Sequence, residues 1–160
     1  MNDFALARVV HVVAVVLWIG GVGMVTTVLL PAVSRMKTPQ ERVAFFERVE
    51  NRFAWQARGT TLITGLSGFY MVHYLDAWAR FAEPGYWWMG AMVAVWVIFT
   101  LMLFVLEPLV LHRHFLDRAA RDPQGTFALI QRLHWLLLTL SLLTLAGAVA
   151  GSHGWLWIGP

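Results

Sequence analysis

Apolar residues run through this chain in long blocks, not in the one-on, one-off alternation of a half-buried strand. Every charged side chain falls outside four runs, 9–34, 59–75, 84–106 and 133–160, each between 17 and 28 residues long. A helix needs about 20 apolar residues to cross the roughly 30 Å hydrocarbon core of a bilayer. The pattern therefore predicts four membrane-crossing helices, over about residues 5–33, 57–78, 86–112 and 128–151. Between the first two, Thr38-Pro39-Gln40-Glu41 reads as an N-cap, a proline at the first helical position and the glutamate of a capping box. Val43, Phe46, Val49 and Phe53 follow at helical spacing, opposite Glu41, Arg48 and Arg52. This segment, about 39–55, is expected to be an amphipathic helix lying along the inner surface. Asp122-Pro123 and Gly125 mark a turn between the last two spans. The first run lacks a basic leader and exceeds the apolar core of a signal peptide, so it is read as a span that stays. The expected fold is all-α: one domain, residues 1–160, forming an integral membrane four-helix bundle.

Composition narrows the function classes. Of the 160 residues, 59% are hydrophobic and 13% charged, and the mean hydropathy is +0.63. These values exclude a water-soluble enzyme, a nucleic-acid-binding module and a disordered chain. The isoelectric point near 10 reflects loop arginines. Ten basic residues, Arg35, Lys37, Arg42, Arg48, Arg52, Arg58, Arg113, Arg118, Arg121 and Arg132, fall in the two loops on one side of the expected bundle. Only Arg8 and Arg80 fall on the other. By the positive-inside rule both termini lie outside, on the periplasmic face of a bacterial inner membrane. Tyr74, Trp78, Phe81, Tyr86, Trp87, Trp88, Trp155 and Trp157 would form the outer aromatic belt. The chain has no cysteine, so disulfides, c-type haem attachment, iron–sulfur clusters and thiolate zinc sites are excluded.

Ionisable groups within spans are costly and ask for a reason. His11 lies ~10 Å inside the outer end of the first span and His73 ~7 Å inside that of the second, at 1.5 Å per residue. Antiparallel helices would bring the two imidazoles to nearly the same level, as a bis-histidine haem b requires. Trp18, seven residues after His11, would line the same cavity, and Gly65 would let a flat macrocycle approach the backbone. His153 is a substitute ligand candidate at the outer end of span four. At the inner end Glu107, followed by Pro108, is expected to pair with Arg58 or His134, with a proton path to a redox centre as the sharper alternative. His112 and His114 stand at the mouth of the third span. Met71 beside His73, and Met89 with Met92, offer fragments of a copper conduit.

The string from Val10-His11-Val12 to Leu17-Trp18-Ile19-Gly20-Gly21 resembles the first span of the copper-resistance D family and of the related HemJ-type membrane protoporphyrinogen oxidases. The likeness continues through Glu50-Asn51-Arg52-Phe53 and through Thr60-Thr61-Leu62-Ile63-Thr64-Gly65-Leu66. It implies a four-helix core with a b-type haem on His11. The HemJ-type enzymes carry a functional lysine near the outer start of the third span, whereas this chain reads Tyr86-Trp87-Trp88-Met89-Gly90-Ala91-Met92. The leading expectation is a membrane cytochrome b with His11 and His73 as axial ligands, an oxidoreductase component exchanging electrons with a quinone or a periplasmic redox partner, alone or as a homo-oligomer. The alternatives are a copper transport or tolerance protein using His11, Met71 and His73, and a HemJ-like porphyrinogen oxidase.

Overall fold

The computed structural model describes residues 3–36, 38–111, 118 and 121–155, and among these it holds helices and turns but no strand. Four long helices carry the fold. α1 spans Asp3–Ser34, α2 spans Pro39–Tyr74, α3 begins as Trp87–Leu101 and runs on as a π-helical stretch Met102–Leu111, and α4 spans Pro123–Ser152. α1, α4 and the helical segment Pro84–Leu109 are long and apolar enough to cross a membrane. α2 differs. It is one continuous helix of 36 residues, so the expected inner amphipathic helix and the expected second span are two halves of a single rod. Thr38 caps it as the sequence predicts, its hydroxyl accepting from the Glu41 amide at 3.3 Å.

The polarity of the packing is inverted relative to a soluble protein. Leu66 is 73% exposed, Leu109 70% and Leu143 63%, while the buried polar residues are all threonine or serine: Thr26, Thr60, Thr61, Thr64, Ser67, Thr126, Ser141 and Thr144. Apolar side chains outside and small hydroxyls between helices are what a lipid solvent selects, because tails reward no apolar burial and close helix approach needs small residues. α1 packs chiefly along α2 and α3 along α4. Two apolar clusters join the pairs. One gathers Trp18, Ile19 and Val22 with Phe99, Leu137 and Leu138. The other gathers Val25, Leu29, Leu30 and Val33 with Phe46 and Phe127.

Two prolines shape the helices. Residues Val25–Leu29 of α1 widen into a π turn in which the Leu30 amide bonds back to the Val25 carbonyl. Pro31, next in that register, has no N–H for the Thr26 carbonyl. Gln131 of α4 supplies the missing donor, Nε2 to Thr26 O at 2.8 Å. In α3 the π stretch contains Pro108, whose absent N–H leaves the Leu103 carbonyl, five residues back, without its donor. Arg58 Nε fills that place at 3.1 Å. Each proline is thus matched by a side chain from another helix.

α2 ends in a Schellman turn, with the Ala77 amide on the Val72 carbonyl at 2.9 Å and the Asp76 amide on the His73 carbonyl at 3.1 Å. Asp76 takes φ +48° there, the position that α4 gives to Gly154 at φ +83°. A non-glycine residue in this region costs about 1 kcal/mol. Asp76→Gly is accordingly expected to raise stability by about 1 kcal/mol, read as a higher midpoint of thermal unfolding in detergent micelles.

Candidate functional site between the first two helices

The register of α1 against α2 is set by a ladder of contacts. Phe4 stacks on Tyr74 at 5.5 Å between centroids, His11 meets Thr64 and Ser67, the Gln56 amide reaches the Leu17 carbonyl at 3.4 Å, and Gly21 lies under the ring of Phe53. The helices run antiparallel, and His11 is half-buried between them.

The hydrogen bonds of His11 fix its tautomer. Nδ1 stands 3.0 Å from the Thr64 carbonyl and 3.1 Å from Ser67 Oγ. A backbone carbonyl only accepts, so Nδ1 carries the proton. Ser67 gives its own hydroxyl hydrogen to the Ile63 carbonyl at 2.6 Å, leaving its oxygen as a second acceptor for the same N–H. In the neutral imidazole the lone pair then belongs to Nε2. An Nδ1–H held by a carbonyl with Nε2 left as a base is the arrangement that orients histidines as metal ligands. The ring lies against Gly68, where an added Cβ would come within 3.2 Å of Cε1. Thr64, Ser67 and Gly68 recur at i, i+3 and i+4 and so share one face. That spacing was readable in the sequence, but the three residues gain a role only once His11 is known to face them.

Trp18 sits below His11 in the core, 4% exposed, with its indole edge on Phe99 at 4.9 Å. Its Nε1 has no partner, and neither do the buried hydroxyls of Thr61 and Thr64. Three buried polar atoms without protein partners thus lie on the α1–α2 pair beneath His11. Gly65 does admit a flat ring against the backbone, but the ring is the protein's own. An added Cβ there would lie 2.5 Å from the Trp96 indole, whose Nε1 donates to the Thr61 carbonyl at 2.9 Å. The face expected to admit a macrocycle at Gly65 is filled by α3.

The remaining candidates fall apart into separate environments. His73 is exposed near the end of α2. It stands five residues, or ~7.5 Å, beyond Gly68, level with the Phe4–Tyr74 stack and not with His11. The expected second span runs to residue 78, but α2 ends at Tyr74, flush with Phe4 at the start of α1, so His73 stands one residue from the helix end while His11 lies about two turns in. His153 is exposed and turned back on its own helix, Nδ1 to the Val149 carbonyl at 2.8 Å. His134 does the same with Ile130 at 3.0 Å. Glu107 and Arg58 form the expected pair, 2.8 Å between Oε2 and Nη2, with the guanidinium also over the Trp55 ring at 5.4 Å. His112 and His114 lie outside the described residues. Among the described residues no three of His, Asp or Glu converge as a metal site would require. No protein-family model, curated protein or solved structure matches the chain.

Proposed function

We propose that the chain is a four-span membrane protein that binds a b-type haem through His11 Nε2 and serves in electron transfer. The observation that carries this reading is the fixed tautomer of His11: a half-buried imidazole between two helices, its Nδ1–H committed to Thr64 and its Nε2 basic. Trp18, Thr61 and Thr64 bring buried polar atoms without protein partners to the same helix pair, which suits a group with polar edges of its own. The haem, when bound, supplies one-electron iron chemistry. The protein's part is to hold the ligand nitrogen in one orientation and to keep bulk water from the outer half of the α1–α2 interface.

The same reading takes α2 as a fourth span and sets both termini outside, on the excess of arginine in the loops of one side. α2 falls short of the apolar composition of the other three helices because its hydroxyl-bearing residues face α1 and α3 instead of lipid. The resemblance to the copper-resistance D and HemJ-type proteins points in the same direction, with His11 at the position of their first-span ligand. The register favours His11 as the protein's ligand to the iron, since bis-histidine ligation would need His73 to descend by about one and a half helical turns. Electrons would then pass between a quinone or a periplasmic protein and the haem in the outer half of the inner membrane. Copper handling, the second reading, would need Met71 and His73 to converge on His11, and the same register separates them. HemJ-like porphyrinogen oxidation comes third, for want of the lysine.

Protein purified from membranes in mild detergent is expected to show a Soret band and, after dithionite, an alpha band in the b-type region, with about one haem per chain. A colourless protein that also fails to take up added haemin would overturn the proposal.

A further inference from the structure

A second site lies at the opposite end of the molecule. The last turns of α1, the start of α2 and the start of α4 frame an open cavity of about 360 Å³. Leu30 and Phe127 form its apolar wall, and Ser34, Arg42, Gln124 and Gln131 its polar one. The volume is near the lower limit for small-molecule pockets, enough for a headgroup-sized anion with a short length of hydrocarbon. Arg42 is placed, not free to sweep: its Nε donates to the Met36 carbonyl at 2.7 Å, and among the described residues no carboxylate pairs with its guanidinium. Ser34 gives its hydroxyl hydrogen to the Pro31 carbonyl at 2.8 Å, and Gln131 commits its amide nitrogen to Thr26. The donors left for a ligand are the two terminal nitrogens of Arg42, the exposed amide of Gln124 and the second N–H of Gln131. Asp122, next to this wall in sequence, turns its carboxylate onto the Gly125 amide at 2.9 Å.

We propose that this cavity binds the headgroup of an anionic phospholipid. The phosphodiester lies against Arg42 and Gln124, and the first methylenes of the lipid lie against Leu30 and Phe127. The commitment to a lipid rests on the lining: a free anion would find no use for the apolar wall, whereas an acyl chain leaving between α1 and α4 continues into the exposed apolar surface of both helices. The surrounding chain is also the most basic part of the protein, with Arg35 and Arg48 exposed nearby. Basic pockets between transmembrane helices on the cytoplasmic side are where such headgroups settle. The inference rests on the membrane reading and not on the haem. A chain that loads no haem leaves it standing, and a chain that stays in solution without detergent removes its basis.

The test uses the full chain in nanodiscs and in detergent, with phosphatidylglycerol, phosphatidylcholine and inorganic phosphate as probes and lipid retention read by native mass spectrometry. Phosphatidylglycerol is expected to be retained at least about fivefold more strongly than phosphatidylcholine, the ratio that one basic contact supplies. Arg42→Gln should bring the two lipids level, and Gln124→Leu, at an exposed position where folding is not at risk, should reduce the preference. Arg48→Gln, on the same helix but outside the cavity, should keep it. Equal retention of both lipids by the parent protein overturns the proposal. So does a loss in Arg48→Gln as large as in Arg42→Gln, which would mean diffuse surface charge. Inorganic phosphate at millimolar concentration is expected to leave lipid retention unchanged. If it displaces phosphatidylglycerol fully, the site takes a free anion and the lipid assignment falls.

Discussion

His11→Ala is expected to yield protein with less than about a tenth of the parent haem content, because a single iron–nitrogen bond and its orientation by Thr64 and Ser67 are removed together. The deletion also leaves the Thr64 carbonyl with one fewer donor, so low haem could be mistaken for misfolding. Two companions separate the cases. His11→Gly supplied with free imidazole should regain a Soret band if the fold is intact and only the ligand is missing. Ser67→Ala keeps the ligand and one of the two acceptors of Nδ1–H; it should retain haem but shift the reduction potential, since the hydrogen bond behind the ring tunes ligand basicity. His73→Ala should leave the spectrum unchanged. A change from six-coordinate to five-coordinate signatures in His73→Ala would show that α2 does supply a second ligand, and that loading the haem slides the helix pair from its present register.

The second large effect is expected at Arg58. Its guanidinium makes two commitments, to Glu107 at 2.8 Å and to the Leu103 carbonyl at 3.1 Å, with the pair 19% and 24% exposed. Arg58→Leu strands a carboxylate inside the inner half of the bundle and a carbonyl left open by Pro108. Stranding a part-buried charge and a polar group costs about 2–4 kcal/mol, most of it desolvation of what is left behind. The expected result is a sharp fall in the thermal midpoint and in the yield of folded protein from membranes. Glu107→Leu added to Arg58→Leu should recover the carboxylate share of the loss but not the carbonyl share. Pro108→Ala restores an N–H for the Leu103 carbonyl, so in that background Arg58→Leu should cost less. A double-mutant cycle over Arg58 and Pro108 measures the coupling, and a coupling near zero would show that the arginine is not filling the proline's place.

The all-helical fold, the Thr38 cap and the Arg58–Glu107 pair were legible in the sequence because each depends on local spacing or on charge, which apolar surroundings leave few ways to satisfy. His11 was legible for the same reason: an ionisable ring in an apolar run stands out. The union of the inner helix with the second span was not, because Arg52 and Arg58 read as a surface boundary while the backbone between them has no proline or turn residue to stop it. Gly65 lies against a flat ring, but that ring is Trp96 of α3, and only the tertiary register brings those two together. The level of His73 differs for another reason: the expected second span runs to residue 78, whereas α2 ends at Tyr74 and leaves His73 at its last turn.

The two proline-matched carbonyls bear on how the chain is made. Spans entering a bilayer one after another need their backbone polar groups satisfied before they face lipid. In α1 the Thr26 carbonyl is open, and the glutamine that closes it lies 105 residues further along the chain, on α4. α3 closes sooner, on an arginine already in place. α1 is therefore provisional until α4 has docked on it, whereas α3 can settle as soon as α2 lies beside it.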